Sequence, residues 1–193
     1  MIKKRSNPNH PLKGSVIRVD PIRQDRDIKA IRKMLSNNLR NHLLFIMGIN
    51  NGLRTGDLLK LKVGDVRDMK PGDSINIKEE KTGKQNILVI NKTVYKVLNE
   101  YLSSANVEDE GYLFKSKKGN QPLTIQAVNA NIKKWASAIR LKGNYGAHSL
   151  RKTWGYVQRI RYGVGFELIC KRFNHTSPAV TMRELVGENW TGA

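Results

Sequence analysis

The chain has 193 residues, the length of one domain or of one domain with an arm, and 39% of them are apolar, enough for a core. Its 35 Lys and Arg face 16 acids, a net charge of +19 that points to a polyanionic partner, foremost nucleic acid; an anionic membrane surface or a ribosomal partner would also suit it. No apolar run approaches the ~20 residues of a membrane span, no apolar segment follows the basic start, and the lone Cys170 excludes an internal disulfide framework and fits a reducing cytosol.

Residues 1–20 lack periodicity and read as a flexible basic arm, with one domain over 21–193. Asp25 or Asp27 is placed to cap a helix with the stripe Ile28, Ile31, Leu35, broken by Ser36-Asn37-Asn38. Leu43 to Ile49 is a strongly apolar, buried helix ending at Asn50-Asn51-Gly52, and Thr55 is positioned to cap a short helix from Gly56 to Leu61. After the turn Pro71-Gly72-Asp73, Ser74–Glu80 and Asn86–Ile90 read as strands joined by Lys81-Thr82-Gly83-Lys84. Lys92–Ser103 is helical, Tyr112-Leu113-Phe114 extended, and Thr124 caps a helix whose face is Val128, Ile132, Trp135, Ile139. A basic helix over 148–162 is interrupted at Gly163-Val164-Gly165, a helical piece follows from Phe166 to Phe173, and Ser177-Pro178 starts a last short helix. Residues 1–40 carry +8 and residues 133–172 carry +9, around a nearly balanced middle. Brought together, the two blocks make one surface that binds phosphates by counterion release.

Four segments carry candidate chemistry. His148 and Arg151, three apart at a helix start, can face one ligand where free backbone N–H groups favour an anion. Arg54 falls between two helices, where partial burial demands an anionic partner, either Asp57 or a phosphate. Lys81 lies at a hairpin tip, and His175 just precedes a capped helix. Taken singly, each also fits a structural role: a capping His, an Arg–Asp pair, an exposed turn, a hydrogen-bonded imidazole.

Order and spacing together resemble the tyrosine recombinase (phage integrase) family. GLRTGDLLKLKVGDV resembles its arginine box, EEKTGK its lysine hairpin, GAHSLRKTWG its HxxR helix and FNHTSPAVTMR its last box, covering about residues 20–185. The resemblance implies a mainly helical (α+β) catalytic domain with a small antiparallel three-stranded sheet. It implies a scissile phosphate of duplex DNA held by Arg54, Arg151 and His175, Lys81 as general acid, His148 as general base and Asp57 orienting neighbours. Lys84 and Lys152 become further DNA contacts. No metal or other cofactor is implied; self-association, as a tetramer on DNA, and a location in the prokaryotic cytoplasm or nucleoid are.

Two features depart from the family pattern. The nucleophilic Tyr should follow His175 by nine residues, and Glu184 stands there; the six tyrosines all precede His175, and Tyr162 is a remote substitute. A carboxylate beside a phosphodiester is repelled, and an acyl phosphate stores a strand break poorly. Only an arm stands where the family carries an N-terminal core-binding domain. The expected function is therefore a DNA recombinase catalytic domain disabled at its nucleophile. The alternatives are a non-catalytic DNA-binding protein and an RNA-associated basic protein.

Overall fold

The computed structural model describes residues 18–105 and 107–186. Among them run helices α1 (Asp25–Leu35), α2 (Leu39–Asn51) and α3 (Thr55–Leu59), strands β1 (Ser74–Lys78) and β2 (Gln85–Val89), then helices α4 (Lys92–Ser104), α5 (Ile125–Ala138), α6 (Ala147–Tyr162), α7 (Phe166–Arg172) and α8 (Pro178–Leu185). No described helix is long and apolar enough to cross a membrane.

Helix α2 is the axis of the fold. Leu43 to Met47 are at most 1% exposed, as expected of a helix apolar on every side, and α1, α4 and α6 pack around it. It begins at Leu39, ahead of the apolar run, because the Asn38 side chain caps it by accepting from the Asn41 N–H. It stops at Gly52, whose φ of 62° is left-handed and whose Cα lies against the Trp154 ring. Two expected caps differ from those found. Gln24 occupies the N-cap of α1 without a side-chain bond, while Asp25 and Asp27 sit in the first turn, where they favour the helix dipole. Thr55 is the first residue of α3, and its hydroxyl donates instead to the Ala147 carbonyl at 3.0 Å, tying α3 to the start of α6. The Thr124 and Ser177 caps are as expected.

Strands β1 and β2 pair antiparallel, Ser74 opposite Val89 through Lys78 opposite Gln85. A third strand is absent among the described residues, which corrects the three-stranded expectation. Tyr112-Leu113-Phe114 makes a single bridge from Tyr112 to Lys62. Leu113 and Phe114 lie in a turn, both buried, and isolated backbone bonds hold them: Leu113 N–H to Leu61 O and Leu123 N–H to Phe114 O, each at 2.8 Å. Residues 18–20, the last of the expected arm, are fastened to the loop before α6: Asp20 N–H donates to Asn144 O at 2.7 Å, and Asn144 Nδ2 donates to Arg18 O at 2.7 Å. The rest of the arm lies outside the described residues.

A second, smaller cluster holds the C-terminal helices. Ile169, Phe173 and Leu185 pack together with Trp154, Val164, Phe166 and Val186 around them. It rests on Gly155 of α6, where a Cβ would come within 2.8 Å of Phe173 and 2.9 Å of Leu185. Gly155→Ala gains about 1 kcal/mol of helix propensity. Overpacking costs about 1–3 kcal/mol. The variant should therefore unfold at a lower urea midpoint, and an unchanged midpoint would mean the cluster is slack.

Candidate active site

Arg54 occupies the N-cap of α3 with extended backbone, which turns its side chain toward the β1–β2 hairpin. Its carboxylate partner there is Glu79, not Asp57. Glu79 is 1% exposed, and it also accepts from the Thr82 hydroxyl at 2.6 Å and from Asn86 Nδ2 at 2.8 Å. Burial opposes its ionisation, yet these two bonds and the Arg54 charge bring its pKa below the ordinary carboxylate range. Asp57, 4% exposed, instead accepts from the Glu80 backbone N–H at 3.0 Å and so fixes the hairpin to α3.

Arg151, expected at the phosphate, is 1% exposed. Its guanidinium donates to Gly52 O at 3.0 Å and to Phe173 O, lies 4.1 Å over the Phe173 ring, and stands 4.0 Å from Glu79. Burial and the nearby Arg54 charge push its pKa down to about 10, so it stays charged at neutral pH. Arg172 is a second strut: it donates to Asn51 O, Ile87 O and Asn86 Oδ1 at 2.6–2.7 Å, joining α7 to α2 and β2.

His148, in the first turn of α6, and His175, between α7 and α8, converge on one carboxylate. His148 Nε2 bonds one oxygen of Glu184, and His175 Nε2 lies 3.2 Å from the other. His175 Nδ1 is 2.9 Å from the Thr181 hydroxyl. Burial lowers the His175 pKa, Glu184 opposes this, and the Arg151 and Arg54 charges add to the lowering. A neutral imidazole with its proton on Nε2 suits both contacts: its N–H lies on the side of the Glu184 carboxylate, and Nδ1 accepts from Thr181. Burial resists ionisation of Glu184, but His148, His175 and Lys152 outweigh it and bring its pKa from 4.5 to about 2. The contacts therefore run unbroken from Arg54 through Glu79, Arg151, Phe173, His175 and Glu184 to His148.

Lys81 is exposed on the hairpin and lines a cleft of about 400 Å³ with Arg54 and His148. Lys84 is exposed on the same turn. Lys152, expected as a DNA contact, is 5% exposed and faces Glu184 and Asp20. Its position on α6, one residue after Arg151 in a helix buried along much of its length, explains this. Tyr162 is fourteen residues beyond His148 on the same helix, about 20 Å along its axis, and cannot serve this site. Sequence reasoning missed Glu79 and Arg172. The acid before the Lys-Thr-Gly-Lys turn was a visible signal for the first, whereas Arg172 is indistinguishable from a surface cation.

The sequence matches the phage integrase family over residues 12–184. The chain belongs to that family. The probable integrase/recombinase YoeC of Bacillus subtilis (strain 168) is 36% identical over 180 residues, covering 91% of this chain and 94% of YoeC. Tyrosine recombinase XerA of Pyrococcus horikoshii is 27% identical, covering 78% of this chain and 52% of XerA. In fold, the chain resembles the crystal structure of XerA recombinase, with a TM-score of 0.71 and 21% identity, over 88% of this chain and 62% of that one. It likewise resembles XerH site-specific recombinase bound to palindromic difH substrate, with a TM-score of 0.70 and 19% identity, over 94% and 53%. This integrase-family chain thus spans nearly all of YoeC but about half of the XerA relative.

Two outcomes follow from the buried charges. Arg151→Ala leaves the Gly52 and Phe173 carbonyls without their donor and opens a cavity, so urea unfolding should show a loss on the order of 3 kcal/mol. A loss under about 0.5 kcal/mol, typical of surface sites, would place Arg151 on the surface. The Glu184 pKa is depressed on folding, so its stabilisation is full above the unfolded value of 4.5 and lost as pH falls toward 2. That contribution is at most about 3 kcal/mol. Burial of His175 acts in the same direction, since protonating it below its ordinary 6.5 disfavours the fold. Glu184→Gln should flatten the fall in stability between pH 4.5 and 2, and equal slopes in both chains would contradict the ion contacts.

Proposed function

We propose that this chain presents a tyrosine-recombinase-type phosphoryl-transfer site to duplex DNA, and that it lacks the nucleophile. The observation that carries this reading is the convergence of His148 and His175 on the side chain at position 184, with Arg54 in the cleft beside His148 and the Arg151 charge behind His175. Non-bridging oxygens gain charge in phosphoryl transfer, and fixed cations and N–H donors stabilise that charge.

In this reading Arg54 and His175 contact the scissile phosphate, while Arg151 lends charge and fixes the segments bearing its neighbours. His148 would accept the nucleophile's proton. Lys81, carried on an exposed hairpin, would donate a proton to the leaving 5′ oxygen. Asp57 holds the hairpin that delivers Lys81. The cations do the electrostatic work, so the reading calls on no metal. The basic blocks at both ends of the sequence, with Lys84 and the expected arm over residues 1–20, would track the DNA backbone. Self-association on DNA belongs to the same proposal, as does a prokaryotic cytoplasmic setting.

Glu184 favours a chain that binds without cutting. A phenol attacks phosphorus through its oxygen, hands its proton to a base, and departs when the free 5′-hydroxyl returns. A carboxylate held by two histidines meets the phosphate as like charge, and a mixed anhydride hydrolyses. The test is a nicked half-site duplex that traps the covalent intermediate. The unmodified chain should bind at low salt and form no adduct, and Glu184→Tyr should form one at residue 184. An adduct of the unmodified chain mapped to Glu184 or Tyr162 would overturn the cleavage-deficient reading. Preference for RNA over duplex would overturn the DNA reading.

A further inference from the structure

The carboxylate of Glu184 does not merely stand where another residue is expected. Its two oxygens take the Nε2 atoms of His148 and His175, one each, and the side chain is only 18% exposed. A carboxylate and a phosphodiester are both monoanions that present two oxygens sharing the charge, so one set of donors fits either. We infer that Glu184 is an intramolecular competitor for the phosphate seat: its carboxylate, anchored on His148, occupies His175, a donor that the proposed reading gives to the phosphate, and a phosphodiester gains that donor when α8 lifts away. The inference rests on reading that seat as the phosphate site.

The surroundings support it from every side. From α6, His148 and Lys152 face the carboxylate; from the α7–α8 connection, His175 does; Arg151 and Arg54 add positive charge behind His175. This charge holds the carboxylate ionised at neutral pH, so an incoming phosphate meets an occupied seat and a repelling charge. The helix that carries Glu184 is lightly anchored. Along α8 only Thr181 and Leu185 are buried, and the latter belongs to the small cluster on Gly155 rather than to the main core. Detaching α8 therefore uncovers Leu185, Thr181 and the sides of Ile169 and Phe173 that Leu185 covers, all outside the main core around α2. A cleft of about 700 Å³ lined by His148, Lys152, Lys133 and Glu184 gives an anion its approach to the seat.

The experiment compares the unmodified chain with Glu184→Gln, which keeps the shape and removes the charge. Glu167→Gln, an exposed site on α7, controls for net charge. Two probes separate the sources of phosphate: inorganic phosphate, followed by the imidazole NMR signals of His148 and His175, and a short DNA duplex, followed by fluorescence anisotropy. Glu184→Gln should half-saturate with phosphate at roughly tenfold lower concentration than the unmodified chain, the shift that one partly buried ion contact supplies. It should also gain more duplex affinity than Glu167→Gln. Equal phosphate midpoints, no imidazole shift in either chain, or equal duplex gains in the two variants would each overturn the inference. Where Glu184→Gln fails to fold, Glu184→Asp is read instead, since it withdraws the charge by one methylene and should give a smaller gain of the same sign. A phosphate gain with no duplex binding by any chain leaves the competition standing and overturns the DNA reading alone.

Discussion

A guanidinium with 1% exposure sits where three segments meet, and the arrangement of the rest follows from keeping it satisfied. A buried cation is tolerated only with hydrogen-bond acceptors and a counter-charge nearby. Arg151 finds two acceptors in carbonyls left free at helix ends, Gly52 after α2 and Phe173 after α7, and its counter-charge in Glu79 of the hairpin. Helix termini always leave such carbonyls unpaired. One side chain thus resolves two helix ends and locks the hairpin against them. Arg54, two residues after Gly52, and His175, two residues after Phe173, inherit their positions from those bonds.

Two carboxylates then divide the positive charge. Glu79 is permanent: three side chains hold it, it has essentially no exposure, and without it Arg54 and Arg151 would repel each other across a dry space. Glu184 is of another kind. It comes from a helix with two buried residues, and its partners are the imidazoles of His148 and His175. The first carboxylate belongs to the scaffold and the second occupies the site.

Much of this was legible in the sequence because it was local. The Asn-Asn-Gly end of α2, the Thr124 and Ser177 caps and the Gly163 break each depend on a few neighbouring residues, and they lie where the pattern put them. Candidate site residues were legible through order and spacing, and Arg54, Lys81, His148, His175 and Glu184 all line the cleft region or its carboxylate. What could not be read was burial that only tertiary packing creates. Arg151 and Lys152 look like solvated cations on a basic helix, but α6 lies between α2 and the C-terminal cluster, so one face of it is dry. Thr55 looked like a cap because its partner, the Ala147 carbonyl, is ninety-two residues away. The third strand failed for the opposite reason: Leu113 and Phe114 form a turn between two isolated bridges, Tyr112 to Lys62 and Lys115 to Pro122, so no ladder extends.

The split of the apolar interior into two clusters has a functional consequence. The main core around α2 assembles Arg54, Asp57 and the root of α6, while His175 takes its orientation from Thr181 of α8. The small cluster of Ile169, Phe173 and Leu185 holds α7 and the helix that presents residue 184 against α6. Local opening follows the least buried contacts, so α8 lies at the low-stability end of the molecule while the Arg54 and α6 side of the pocket lies at the high end. Gly155 is the seam between them, since its missing Cβ lets Phe173 and Leu185 rest on α6 without interlocking with the core beneath. A pocket that stays formed while the side chain at 184 comes and goes is what a reaction needs when its nucleophile must both attack and withdraw. The same division lets a carboxylate at that position fill the pocket without disturbing its construction.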